Sequence, residues 1–497
     1  MAHSVVRSSI MSVSAGGLTL FAGLICGVVL ARVLGAQGMG KVVFAGWIVA
    51  VAVVVADLGL PAALIRYMPE LIATGHSESG LLAPALLRPF TRSAILGTCL
   101  FLLAALALFL FGHKQLAALA LAAALLFVLQ AYSQFATCEI RGRQQFPELT
   151  RLAGVSGVLQ VAGVSFGAYY FGPEGALTGY AAGHLVPALQ CLRLIRRNAS
   201  VPSDLALRLS GYARHSWLAA GIDQLVWARL ETFFLAQFLG PEAVAIFAVG
   251  LTLSNLPTQL PIHLSGPLLP LLASRLSQQG NPGVEGTYRS ALSLFAFIIM
   301  PVSLGGAAVL PALVPILYGS SFSAAVPVAM ILVAGSWLSG LTQVPSALIF
   351  GLERGSFFVR AGLFGGALII AAGLLIVPIY GATGAAWSRI IVHGMIAAWS
   401  ILFLAQLGFK VSAKPFLRIA AASLASAAAA HIVLQFWGNT IPALAAAVCA
   451  GAFVYFAAVK LFPPLRAIDL EPLRRSLENL PGPFARATWR VARQFSH

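Results

Sequence analysis

Apolar runs of about 20 residues recur from one end of the chain to the other, separated by short polar breaks. A helix of that length rises about 30 Å, the thickness of a bilayer's hydrocarbon core. The pattern therefore predicts an all-α polytopic membrane protein. Fourteen spans are read, over 10–31, 42–61, 93–112, 115–137, 152–171, 175–192, 215–239, 243–265, 290–317, 323–350, 361–379, 383–407, 418–436 and 441–460. Connections on one side, such as Gly172–Glu174 and Tyr380–Thr383, are a few residues long. On the other side they are longer, and Ala62–Thr74 and Leu271–Gln279 are expected to form helices lying along the membrane surface.

The basic residues test that count. Of the 31 Lys and Arg, 26 fall in connections on the same side or in the tail, three (Arg32, Lys41, Lys114) fall opposite, and two (Arg229, Arg389) lie within spans. Such a bias places the basic-rich side and both termini in the cytoplasm. A net charge of +16 would point to nucleic acid in a soluble domain. With 59% hydrophobic and 9% charged residues it is instead a topology signal, and no nucleic-acid partner is expected. The five cysteines are scattered in or beside apolar runs, with no spacing that suggests disulfides or a metal site.

An offset of 209 residues brings the chain onto itself. Leu60-Pro61 falls on Leu269-Pro270, Arg66 on Arg275, Gly142 on Gly351, Arg151 on Arg360, Gly172 on Gly381 and His184 on His393. The repeat unit holds six spans, an even number, so both copies share one orientation. They are expected as parallel lobes related by a pseudo-two-fold axis along the membrane normal, the architecture of a carrier. The organisation read is a first lobe over 1–198, a basic linker over 199–214 and a second lobe over 215–410. Two further spans follow over 411–462, then a basic tail over 463–497 with the look of an amphipathic helix on anionic lipid.

The opening hairpin reads Ala31-Arg32-Val33-Leu34-Gly35-Ala36-Gln37-Gly38-Met39-Gly40, followed by Asp57-Leu58-Gly59-Leu60 and Leu64-Ile65-Arg66. The second lobe opens with Arg229-Leu230-Glu231-Thr232 and Phe238-Leu239-Gly240. These stretches resemble the polysaccharide-transporter branch of the multidrug/oligosaccharidyl-lipid/polysaccharide exporter superfamily, although Asp is more usual where Glu231 stands. The resemblance covers the first twelve spans. It implies a flippase for polyprenyl-diphosphate-linked oligosaccharides, the repeat units of O-antigen or exopolysaccharide, in a bacterial inner membrane. A polysaccharide polymerase or export machinery would be a partner. The first span, Ile10 to Ala31, carries no charge, whereas lipid II flippases tend to carry basic residues deep in the first lobe.

A diphosphate-linked sugar needs cations for its head, and Arg suits phosphate through its planar fork of donors. The candidates for the substrate cavity and head group are Arg229, Arg389, Arg32 and Asp223. On one straight helix Arg229 and Glu231 point to nearly opposite faces. The expectation is that Asp223 and Glu231 face the cavity and Arg229 pairs with another helix, or the reverse. Coupling to a proton or sodium ion falls to Glu231, Asp57, His184 or His393. Each has a structural alternative: an ion pair for Glu231, a helix cap for Asp57, and hydrogen-bonded packing groups for the two histidines. No other cofactor or metal is expected. Competing functions are a lipid II flippase or an ion-coupled multidrug exporter of the same superfamily. A membrane polymerase or glycosyltransferase is disfavoured by the short outer loops, which leave no room for a catalytic domain. A non-transporting scaffold is disfavoured by charges placed mid-span.

Overall fold

The structure is a computed structural model and describes residues 2–74, 80–195, 203–224, 230–265 and 268–464. Arg229 and the basic tail lie outside the described residues. All regular structure described is helical. In the first half run α1 (Ala2–Asp57), α2 (Leu60–Ala73), α3 (Leu82–Leu110), α4 (Lys114–Gly142), α5 (Phe146–Gln190), α6 (Leu192–Ile195), α7 (Ser203–Ile222), α8 (Leu230–Leu239) and α9 (Pro241–Ser265). In the second run α10 (Leu268–Tyr318), α11 (Ala325–Leu341), α12 (Gln343–Gly351), α13 (Ser356–Leu375), α14 (Val377–Gln406), α15 (Ala413–Trp437) and α16 (Ile441–Leu461). Among the described residues, ten helical stretches are long and apolar enough to cross a membrane. The chain divides into two compact units, 1–245 and 246–497.

Two of the ten stretches, of 44 and 49 residues, would each rise about 66–74 Å if straight, twice a bilayer's core. Each breaks once, at Gly35 (φ 65°) and Gly172 (φ 67°), backbone settings that cost little only without a Cβ. At Gly172 the break is a reversal. A Cβ on Gly167 would meet the Gly175 carbonyl oxygen at 2.0 Å, and one on Gly179 would meet the Gly163 carbonyl carbon at 2.3 Å. Two four-residue glycine steps thus face each other across an antiparallel hairpin, backbone on backbone, where close contact rather than a hydrophobic drive holds helices together in lipid.

The second unit repeats the device. Gly381 breaks α14 at φ 60°, and a Cβ on Gly384 would come within 3.2 Å of the Ile376 carbonyl, the counterpart of the Gly167–Gly175 contact. Gln144 (φ 59°) and Glu353 (φ 58°), again 209 residues apart, take the same left-handed turn after α4 and α12. The repeat in the letters is therefore a repeat in the backbone.

Connections assigned to the basic-rich side touch one another within each unit. Glu70 of α2 accepts from Arg66 (2.8 Å) and from Arg208 of α7 (3.3 Å). Arg289 donates to the Lys410 carbonyl (2.6 Å), and Arg418 to the Pro463 carbonyl (3.0 Å). One span too many or too few between the partners of any of these pairs would have put them on opposite sides of a bilayer. Ala62–Thr74 is helical as expected, within and at the end of α2. Leu271–Gln279 is not a separate helix but the start of α10. Leu268, Leu272, Leu276, Val284, Tyr288 and Leu292, from before and after 280–283, all pack into the same core.

Overpacking the α5 hairpin has a defined outcome. Gly179→Leu should separate its arms at about 1–3 kcal/mol and lower the Tm of detergent-solubilised protein by several degrees. Gly154→Ala, whose added Cβ meets nothing nearer than 3.9 Å, should leave Tm unchanged in the same thermal-shift measurement.

Candidate functional site

Within 221–240, α7 ends at Ile222, Asp223 and Gln224 follow in a π-type turn, and α8 is described from Leu230. The facing of Arg229 relative to Glu231 falls on residues outside the described ones. Asp223 is exposed, whereas Glu231, in the first turn of α8, is 2% exposed beside the equally buried Thr232. α8 packs on α1 through Phe233 and Trp47, whose ring centroids lie 6.0 Å apart.

Asp57 ends α1 and is buried, and its Oδ1 accepts from the Gly59 N–H at 2.7 Å. Leu58 and Gly59 both take left-handed φ values (52° and 72°), which turns the chain sharply into α2. A Cβ on Gly59 would lie 2.0 Å from the Ala213 carbonyl oxygen of α7. Four residues on, the Trp217 indole N–H donates to the Val54 carbonyl at 2.9 Å. Asp57 therefore holds a cap at a packed corner of α1, α2 and α7.

The two repeat-related histidines have parallel settings. His184 of α5 places Nδ1 3.3 Å from the Ser133 hydroxyl of α4, and His393 of α14 places Nδ1 3.2 Å from the Ser339 hydroxyl of α11. Each is half-buried and ties the last span of its six to the fourth. Arg389 is half-buried one turn before His393, and Arg32 is exposed near the Gly35 break. Arg32, Arg389, His393 and Glu231 each have an interacting neighbour.

Three groupings were not read from the sequence. Arg66 and Arg208 lie over the Tyr67 ring at 5.3 and 5.6 Å, and Tyr212 meets that ring edge-on at 5.7 Å, which clasps α2 to α7. The Glu70 carboxyl in this clasp is held below the usual glutamate range, chiefly by the Arg66 hydrogen bond. Its contribution is complete at neutral pH and is lost as the pH falls through that lowered value.

In the second unit α10, α15 and α16 enclose an apolar groove of about 490 Å³, lined among others by Val302, Gly305, Val309, Ala447, Val448 and Gly451. Its hydroxyls bond inward: Ser426 donates to the Gly451 carbonyl and Tyr455 to the Phe297 carbonyl, both at 2.7 Å. The wall is left hydrocarbon. In the first unit, Lys41, His113, Lys114 and Glu174 line a polar cavity of about 420 Å³. The scarcity of basic residues on that side was the one sequence signal that could have singled it out.

The capping geometry predicts that Asp57→Asn, which keeps the acceptor oxygen, retains normal protein level and Tm. Asp57→Ala should lose about 0.5–2 kcal/mol, read as a lower Tm. For the clasp, Glu70→Gln should speed amide hydrogen exchange in α2 and α7 at neutral pH, with α3 and α4 unchanged.

The family described as "Polysaccharide biosynthesis protein" matches residues 29–327, more than half of the chain. No curated protein sequence matches it. Among solved structures, the lipid II flippase MurJ in an inward closed conformation superposes with a TM-score of 0.72 at 15% identity, covering 91% of this chain and 98% of that one. An inward-facing multidrug resistance MATE family transporter of the MOP superfamily gives 0.66 at 16% identity, covering 79% and 95%. A MOP superfamily transporter from Pyrococcus furiosus gives 0.56 at 16% identity, covering 82% and 95%. With the groove, the buried charges and the repeated six-span units, these matches lead to one assignment: the chain is a multi-pass membrane protein that belongs to the polysaccharide biosynthesis protein family and has the fold of MOP-superfamily transporters.

Proposed function

We propose that the protein is an alternating-access flippase, not an enzyme, that carries a polyprenyl-diphosphate-linked oligosaccharide from the cytoplasmic to the outer leaflet of a bacterial inner membrane. Both termini are then cytoplasmic, and the product feeds polymerisation of a surface or exported polysaccharide. The apolar groove along α10, α15 and α16 carries this reading. A long isoprenoid needs a hydrocarbon trough beside the polar path of its head group. The trough here is built on the two helices outside the six-span repeat.

The coverage of the two relatives supports the same choice over a drug exporter. MurJ covers 91% of the chain and the MATE transporter 79%, a difference about the size of α15 and α16 together. Arg229, Arg389, Arg32 and Asp223 are proposed to meet the head group and glycan. Glu231, a buried carboxylate in a helix's first turn, is the proposed site for a coupling proton or sodium ion, ahead of Asp57, which is occupied as a cap, and of the serine-bonded His184 and His393. The likeness to MurJ keeps lipid II as the second substrate to test.

Deleting the gene should make one complete lipid-linked repeat unit accumulate in the lipid extract, seen by mass spectrometry, with loss of the surface polymer. Accumulated lipid II with normal polymer would replace the substrate. An unchanged lipid pool with normal polymer in a strain lacking other flippases would overturn the reading. Val448→Trp, which fills the groove from an exposed position, should cut polymer export several-fold at normal protein level.

A further inference from the structure

We infer that the polar cavity of the first unit is a seat for the phosphate or diphosphate of a lipid head group, on the face opposite the basic-rich connections. Its walls come from three places distant in the chain: Lys41 just past the Gly35 break, the Gly112–Leu116 turn into α4, and Glu174 just past the Gly172 break. All three are connections between spans on one side, so the cavity sits at the rim of the helices. Lys114 and His113 are exposed, and Lys41 and Glu174 are half-buried.

The charge distribution points to an anion. A basic residue on this face works against the bias that orients the protein, and only three of 31 are there. Two of the three, 73 positions apart in sequence, meet in one cavity. Two ammonium groups repel, and neither makes an ion pair among the described residues, with Glu174 or with any other carboxylate. The α4 N-terminus, which opens into the same cavity and has no side-chain cap, adds a partial positive charge.

Separate cations around one space suit a group with several charged oxygens better than a single carboxylate. The position at the rim of the spans suits a group tethered to a lipid. Such a group has two sources: the diphosphate of a prenyl carrier, or the phosphate of bulk anionic phospholipid. The first source rests on the flippase reading, whereas the seat itself does not.

The test is lysine acetylation of the full-length protein in nanodiscs, read residue by residue by mass spectrometry. Lys410, Lys414 and Lys460 are the remaining lysines of the chain and serve as internal controls. In phosphatidylcholine discs, farnesyl diphosphate at about ten times its Kd should slow acetylation of Lys41 and Lys114 about tenfold and leave the controls unchanged. Inorganic pyrophosphate should do the same at higher concentration. Lys41→Gln should remove protection of Lys114, and Lys114→Gln that of Lys41.

Protection by phosphatidylglycerol discs alone, without any by farnesyl diphosphate, would keep the seat and assign it to bulk lipid. Equal protection of all five lysines, protection of none under any condition, or protection of one lysine that survives loss of the other would overturn the proposal. The lipid extract of the deletion strain reads the transported substrate separately, so either idea can fail alone.

Discussion

In hydrocarbon no water is present to satisfy a peptide group, so every backbone N–H and C=O must find its partner within the protein. That requirement makes this chain helical throughout its described length and leaves little tolerance for loops. Four of its reversals turn on a single left-handed residue: Gly172 and Gly381 in matched hairpins, Gln144 and Glu353 in matched turns. Each reversal exposes few unpaired groups. The glycines on either side of Gly172 then let the two arms touch backbone to backbone.

The same constraint governs the charges. An unpartnered ion within the spans is expensive, so polar side chains there are buried with neighbours or put to use. Asp57 shows the first case: its carboxylate takes the Gly59 N–H at the α1–α2 corner, and that corner is fixed against α7 by the Gly59 backbone and the Trp217 indole. The histidine–serine pairs at His184 and His393 bind the fourth and sixth spans of each repeat copy in the same way. Glu231 is a fully buried carboxylate in the first turn of α8, which is why the coupling role is proposed there.

Hydrocarbon surface is handled by a parallel economy. Ser426 and Tyr455 line the groove yet bond backbone carbonyls of neighbouring helices, so the wall presents carbon to its occupant. The cavity at Lys41 and Lys114 is the opposite case, polar groups gathered at a rim where water and head groups meet. The proposed carriage of an amphipathic lipid would use both kinds of surface, which this chain builds in different units.

Hydropathy, charge bias and self-similarity gave the many-span helical architecture, which connections share a side, and the repeat, because period and polarity are local properties written along one strand of text. Gly172 and Gly381 were visible as a matched pair for that reason, and their matched reversal followed. What the sequence could not supply was contact between distant residues. Asp57 read as a cap more readily than as an ion site, and the bond that its carboxylate accepts from the Gly59 N–H at 2.7 Å is a contact that only the fold supplies. Leu271–Gln279 read as a separate surface helix because it lies in one of the longer inner connections, whereas it is the start of α10, whose residues before and after 280–283 pack into one core. The clasp of Arg66 and Arg208 on Tyr67, the apolar groove and the shared cavity of Lys41 and Lys114 were decided by tertiary structure alone. Each joins residues tens to more than a hundred positions apart, and no local pattern encodes which helices will be neighbours.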